Sequence, residues 1–498
     1  MKWQEAWETL IELEKRTAQL GSIGSLIGWD EQVNLPKGSA ELRAQQQAAL
    51  GEATHRAASD PKIGECLDVL GEVASYLSAE QKVVVREARK DFDRATRIPS
   101  DFVRRREEAQ SRSYHAWVTA RKSGDFEEFL PHLKSQLTFA HLEAEYLEAE
   151  DPYDYWIDRF DPGMTADRIQ SLFTPLLKEL KPLVETITGA DVELPQDTFR
   201  GFPVDSQETF LREVVKSMGF NFDRGRIDTA VHPFCSGHPL DCRMTTRFDP
   251  DNPLDSLSSA MHETGHGLYE QGLPEDWLDT PMAQAVGMAV HESQARLWEN
   301  QIGRSRPFWK HWEPRYRELF SKQLSAVDSD TLYRTVNRVA LTPIRVDADE
   351  VTYNLHIMLR FELEKQLFSG EIKAGELPEA WNAASKKFLG FEPANHSEGC
   401  LQDVHWATGA FGYFPSYCTG NMIAAQLWYQ LRSELPKLDE QLASGDCKPI
   451  LEWLRQKVHN KGRLHSTPEL VQKISGEELS PRFLVRYLQE RYLPLYRA

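Results

Sequence analysis

Apolar side chains in this chain recur at helical spacing, and that periodicity limits the folds open to it more than any other feature. In the segment 133–147, Leu133, Leu137, Ala140, Ala144 and Leu147 fall on one helix face, with Glu143, Glu145 and Glu148 elsewhere. The stretches 81–95 (QKVVVREARKDFDRA) and 354–368 (NLHIMLRFELEKQLF) are long and free of Gly and Pro. The opening residues MKWQEAWETLIELEKRT interleave Glu5, Glu8, Glu12 and Glu14 with apolar positions, so they read as an amphipathic helix and not as a signal peptide. Breakers cluster at 34–38, 151–163, 193–205, 233–253 and 390–393, which read as loops. Only 226–248 looks extended, with Val231, Phe234, Met244, Thr245 and Thr246 among Pro and Gly, which predicts a small β-ribbon. There is no internal repeat and no low-complexity tract, so a solenoid is not expected. The expected fold is mainly α with a small β insert.

At roughly 150 residues per domain, 498 residues allow about three domains or one large single-cored enzyme. The second reading is adopted here: one helical unit over 1–498, with a helical part to about 200 and the functional motifs between 230 and 417. Lys and Arg number 58 against 76 Asp and Glu, a net charge of −18. Such a chain lacks the basic footprint that phosphate backbones and anionic lipids require, so neither nucleic acid nor a membrane is an expected partner. No run of 18 apolar residues occurs. The six cysteines show no C-x-x-C spacing and read as free thiols of a cytoplasmic protein. A second metal site from His232, His238, Cys235 and Cys242 is disfavoured by its irregular spacing.

The chemistry concentrates in 255–274, DSLSSAMHETGHGLYEQGLP, which contains His262-Glu263-Thr264-Gly265-His266. Residues i and i+4 share a helix face, so both imidazoles can reach one ion while Glu263 sits beside them. Asp255 or Ser256 are the candidate N-caps, and Gly272 and Pro274 the stop signals. Zinc suits two histidines and a carboxylate with one position left for water, and Glu263 would take that water's proton. Gly265 and Gly267 inside the helix each cost about 1 kcal/mol relative to Ala, so close approach of another backbone or of substrate is expected there. The metzincin pattern would need Gly at 269 and His at 272, where Tyr269 and Gly272 stand. A third ligand from AVHESQARLWEN is the alternative: Glu292, with small Ala295 and cationic Arg296 one turn on, or its neighbour His291.

Further motifs run along the chain in order: Trp29-Asp30 with Leu35-Pro36, Tyr153-Asp154, Asp161-Pro162-Gly163, His232-Pro233-Phe234 and Asp241-x-Arg243-x-Thr245-Thr246. After the histidine helix come His291-Glu292-Ser293-Gln294, Ile344-Arg345-x-x-Ala348-Asp349 and Gly399-x-x-Gln402-Asp403-x-His405-Trp406. In these the sequence resembles the carboxypeptidase Taq family of metallocarboxypeptidases over nearly its whole length. The resemblance implies His262, His266 and Glu292 as metal ligands and Glu263 as catalytic base. It also implies a helical, zincin-like fold with a deep cleft, similar to the neurolysin and angiotensin-converting-enzyme group, and a homodimer. Zinc, or cobalt in its place, would serve single-residue trimming of peptides with a free C-terminus.

A carboxypeptidase must recognise a terminal carboxylate, and Arg offers a planar two-pronged partner. Arg345 is the candidate anchor; the plain alternative is a surface helix start pairing with Asp347 or Asp349, and Arg243 and Arg247 are further cations. His405 and Tyr413 resemble the oxyanion-stabilising pair of related helical zincins, with Tyr417 a rival for the tyrosine role. Asp241, Arg243 and Thr245 are expected on the ribbon beside the cleft, where an exposed strand edge would hold the substrate backbone. The competing readings are a dipeptidyl carboxypeptidase or oligopeptidase on the same scaffold, and a non-catalytic, metal-stabilised peptide-binding protein. An intact Glu263 argues against the last.

Overall fold

The computed structural model describes residues 1–190, 192 and 199–496. Of the predicted loop at 193–205, residues 193–198 lie outside the described part. Helices α1 (Trp3–Val33), α2 (Ala40–Ala58), α3 (Pro61–Glu72), α4 (Ala79–Arg97), α5 (Ser100–Ser123), α6 (Phe126–Tyr146), α7 (Pro152–Phe160), α8 (Ala166–Thr188) and α9 (Val204–Met218) lead to a small sheet. Its strands are β1 (Gly225–Thr229), β2 (Cys235–His238) and β3 (Asp241–Thr246). Then follow α10 (Pro253–Glu270), α11 (Met288–Arg296), α12 (Arg306–Leu319), α13 (Ser329–Val336), α14 (Tyr353–Ser369) and α15 (Leu377–Phe388). The chain closes with α16 (Phe414–Glu434), α17 (Leu438–Ala443), α18 (Lys448–Lys457), α19 (Thr467–Ser475) and α20 (Arg482–Tyr496). The fold is mainly α, and no helix among the described residues is long and apolar enough to cross a membrane.

Three local expectations are corrected. The stretch 151–163 contains α7: Asp151 caps it by accepting the Tyr153 and Asp154 amides, and Pro152 at the first position presets φ. Capping chemistry therefore outweighs the breaker content. Glu143 does not lie off the buried face of α6; it is fully buried, held by Arg106 and by Arg159 at 2.7 Å. A carboxylate in an apolar face survives only with such partners. The ribbon is a three-stranded mixed sheet in the order β1-β3-β2, with β1 parallel and β2 antiparallel to β3.

Most buried apolar side chains form one cluster reaching from Trp117 to Tyr496, and a smaller cluster joins α1, α3 and α4 through Met282. Within the large cluster α10, α11 and α16 pack as neighbours, with almost continuously buried sequences. Two glycines set the spacing. A Cβ at Gly265 of α10 would lie 2.5 Å from Ala295 Cα and 2.6 Å from the Gln294 carbonyl oxygen of α11. A Cβ at Gly420 of α16 would lie 2.7 Å from Glu292 Cβ. Backbones can close to this distance only where no side chain intervenes, so α11 is wedged between the other two. The close approach expected at Gly265 is thus to the backbone that carries Glu292.

Candidate metal centre and its cleft

Helix α10 begins two residues before the candidate caps. Asn252 precedes Pro253 at the first helical position, Asp255 pairs with Arg247 at 2.7 Å, and Ser256 is buried with its hydroxyl on Gln207 at 2.8 Å. Proline's fixed φ starts the helix without a side-chain cap. Two turns on, His262 and His266 present their Nε2 atoms to one spot, 3.2 Å apart. Glu292 Oε2 lies 3.7 Å from the first and 3.8 Å from the second, with the carboxylate buried. Donors about 2.0–2.2 Å from a tetrahedral ion stand roughly 3.3–3.6 Å apart, so this N,N,O set fits a divalent cation after little adjustment. Among the described residues it is the one group of three His, Cys, Asp or Glu donors close enough to hold an ion.

The partners behind these groups fix which atom faces inward. His262 Nδ1 is 2.9 Å from Glu299 Oε2, which leaves Nε2 for the ion. Glu299 lies on the π-helical continuation of α11, Leu297–Ile302, and Arg296 bridges Glu292 (2.6 Å) and Glu299 (3.1 Å). His266 turns its Nδ1 to His291 Nδ1, and His291 Nε2 reaches Glu270 at 2.7 Å. His291, the rival third ligand, therefore stands behind His266 on the side away from the shared spot. Burial alone would lower the His262 pKa, but Glu292 and Glu299 outweigh it and lift it to about 9. Burial, reinforced by the His291 and His262 charges, holds His266 far below the usual range. Glu263 is 7 % exposed, and burial, with Glu292 adding to it and His262 opposing, raises its carboxyl to about 7.

These residues line a cleft of about 1200 Å³. Its walls also carry Arg345, Tyr353, Tyr413 and Tyr417. Arg345 is no surface residue pairing with its local acids: it is buried, with Nε 2.9 Å from Asp403 and Nη1 2.9 Å from the Tyr353 hydroxyl. Its backbone amide donates to Gln402, so the Ile-Arg and Gln-Asp motifs meet in space. Asp403 is shared with Arg360, 2.6 Å away and fully buried. Two guanidiniums face one carboxylate, which leaves the cluster with an uncompensated positive charge. His405 does not line the cleft; it stands behind Tyr417, Nε2 to hydroxyl 3.1 Å, over the Phe414 ring at 4.3 Å. Burial and then the Arg345 charge drop its pKa to about 3, so the ring is neutral, while burial keeps the Tyr413 and Tyr417 hydroxyls protonated.

Asp241, Arg243 and Thr245 do not lie on an exposed strand edge. Strand β3 is flanked by β1 and β2, so its backbone edges are already paired. Arg243 is bound to Asp241 at 2.9 Å and lies 4.3 Å over the Trp29 ring, and Thr245 is buried with its hydroxyl on the His232 carbonyl. None of the three lines the cleft, whereas Phe234 and Cys235 at the start of β2 do. Sequence reasoning missed Glu299, Tyr353 and Arg360. Glu299 was readable in principle, standing seven residues after Glu292 on one helix face; Tyr353 and Arg360 gave no signal short of the fold. Tyr153 and Trp406 of the remaining motifs both donate to buried Glu364, 2.9 and 2.7 Å away, and so anchor the core rather than the cleft.

The model of one protein family, the carboxypeptidase Taq (M32) metallopeptidases, matches residues 9–492. Thermostable carboxypeptidase 1 of Thermus thermophilus is 39 % identical over 99 % of both chains. Carboxypeptidase 1 of Bacillus subtilis is 35 % identical over 97 % of both. Among solved structures, the M32 carboxypeptidase of Deinococcus radiodurans superposes with a TM-score of 0.95 at 39 % identity, covering 99 % of this chain and 100 % of that one.

Proposed function

The chain belongs to the carboxypeptidase Taq (M32) metallopeptidase family and is a metal-dependent carboxypeptidase; on that premise we propose that His262, His266 and Glu292 hold the ion, Glu263 is the general base and Arg345 reads the terminal carboxylate. One observation carries the proposal: the three donors converge beside a buried carboxylate in the same cleft that holds a guanidinium cluster with unspent positive charge. Zinc is the ion proposed, since a site of two imidazoles and one carboxylate leaves a position for water, and cobalt has the same use for these donors. When bound, the ion supplies Lewis-acid polarisation of a water and of the scissile carbonyl.

The remaining work falls to the chain. Glu263, its carboxyl raised to about 7 by burial, is poised to take a proton near neutrality and return it to the leaving amine. The Tyr417 hydroxyl, oriented by neutral His405, donates toward the developing oxyanion; Tyr413, beside it on the cleft wall with ring centroids 5.0 Å apart, serves the substrate next to it. Arg345, held by Asp403 and Tyr353, pairs with the substrate's terminal carboxylate, and Arg360 compensates Asp403 so that Arg345 keeps its charge for that purpose. Single residues of broad type are released. The protein works as one catalytic unit, as a homodimer and in the cytoplasm; the six unbridged cysteines support a reducing compartment.

The test compares a peptide with its C-terminally amidated twin. Arg345→Ala should lose about 2–5 kcal/mol of binding and transition-state stabilisation on the free acid, with Arg345→Lys recovering part of it. Activity on the amide should stay at the parent's low level. Normal cleavage of the free acid by Arg345→Ala would move the anchor to another cation of the cleft.

A further inference from the structure

Seven arginines line the cleft, and six have partners. Arg159 is held by Glu143, Arg247 by Asp255, Arg296 by Glu292 and Glu299, and Arg345 by Asp403. Arg304 donates to Asn300 and to the Val336 carbonyl, and Arg463 to the Ala285 carbonyl with Glu87 at 3.6 Å. The seventh is Arg338, half-buried on the loop between α13 and α14. Its backbone amide bonds to the Thr335 carbonyl; no described residue gives its guanidinium a hydrogen bond or an ion pair, and its charge is felt at Tyr496, whose hydroxyl already takes the Val339 amide.

The carboxylates of its own loop do not fill the role. Asp349 spends its oxygens on the amides of Ala340, Val351 and Thr352 and on the Thr352 hydroxyl. Asp347 is exposed and makes no ion pair with it. Arg304, on the other side of Val336, adds a second positive charge to the same stretch of wall. An unpaired guanidinium that stays open to the cleft can meet a carboxylate arriving there with a two-pronged, charge-assisted pair. The terminal carboxylate is already answered at Arg345, which Asp403 and Tyr353 hold in place, whereas Arg338 sits free on a loop seven residues earlier.

We propose that Arg338 is a specificity-determining residue that receives an acidic side chain, Asp or Glu, of the bound peptide. The proposal rests on the carboxypeptidase reading, and it gives a strongly acidic protein a local means of accepting acidic substrates, because cleft potential and not total charge steers a ligand. The experiment uses the metal-loaded enzyme and N-terminally blocked hexapeptides with one common released residue. All other positions are Gln, and a single Glu is moved from position to position, the released residue included in a final pair.

The parent should favour Glu over Gln at one position by on the order of tenfold in kcat/KM. Arg338→Ala should abolish that preference, and Arg338→Glu should replace it with a preference for Lys at the same position. The all-Gln peptide should be cleaved by all three proteins within about twofold. A Glu preference that survives in Arg338→Ala, or no Glu preference at any position, overturns the proposal. An equal loss on every peptide also overturns it, since Arg338 would then serve binding common to all substrates. Failure of the parent to cleave the all-Gln peptide would instead count against the carboxypeptidase reading beneath it.

Discussion

Replacing Gly265 by Ala adds one methyl group to α10 at the point where α11 crosses it. The new Cβ would stand 2.5 Å from Ala295 Cα, 2.6 Å from the Gln294 oxygen and 2.9 Å from the Ala295 nitrogen. Carbon contacts settle near 3.5–4.0 Å, so the two backbones must part by about 1 Å. All three obstacles are backbone atoms, and none can rotate away. Nor can α11 retreat freely, because Gly420 already brings α16 against Glu292 from behind. Helix propensity favours the substitution by about 1 kcal/mol, while overpacking costs about 1–3 kcal/mol or more, so the variant should lose on the order of 1–2 kcal/mol net. The same displacement carries Glu292 away from His262 and His266, and metal affinity should fall at least about tenfold. Denaturant unfolding of the metal-free protein measures the first effect, and competition against a chelator the second. Gly51→Ala is the control: its Cβ would meet nothing within 4 Å, and that variant should be as stable as the parent or slightly more so. A Gly265→Ala protein with parental stability and parental metal affinity would refute the idea that this crossing sets the third ligand.

Two further outcomes follow from the same geometry. Glu299→Ala removes the partner of His262 Nδ1 and should weaken metal binding by about 10- to 100-fold, read by chelator competition; unchanged affinity would mean that packing alone orients the ring. Asp161 joins α7 to the Ala289 amide of α11 and the Ser416 hydroxyl of α16, and burial lifts its carboxyl from 3.8 to about 6. A raised folded-state value means stability present below pH 3.8 and lost as pH rises through 6. Measured on metal-free protein, the parent should therefore lose about 2 kcal/mol relative to Asp161→Asn between pH 4.5 and 7.5, and a gap that stays constant would remove the pH linkage assigned to this carboxyl.

The helical class and the histidine pair proposed to hold the ion could be read from one dimension because their signals are local or nearly so. The i, i+4 histidines need only the helix that carries them, and the glycine at 265 announced a close approach before the partner was known. What sequence left open needed the fold. Choosing Glu292 over His291 depends on the rotation of α11 relative to α10, which sends His291 behind His266 toward Glu270. Arg345 was named as the candidate anchor, but a local pairing with Asp347 or Asp349 stayed open as the alternative, because its actual partner, Asp403, lies 58 residues further along the chain. The ribbon was seen, but not its third strand; β1 pairs in parallel, and that placed β3, with Asp241, Arg243 and Thr245, at the centre, while the outer edge of β2 has no strand partner among the described residues. At 151–163, turn-forming residues were also the ones that start a helix, and capping decided the outcome.

The central claim is that Glu263 is the base beside an ion held by three other residues, and Glu263→Gln tests it most directly because the shape is kept while the proton acceptor is lost. The variant should bind one divalent ion per chain by elemental analysis, as the parent does, while turnover of a free-carboxylate peptide falls by about a hundredfold or more. A metal-loaded Glu263→Gln protein that still turns over near the parental rate would contradict the account.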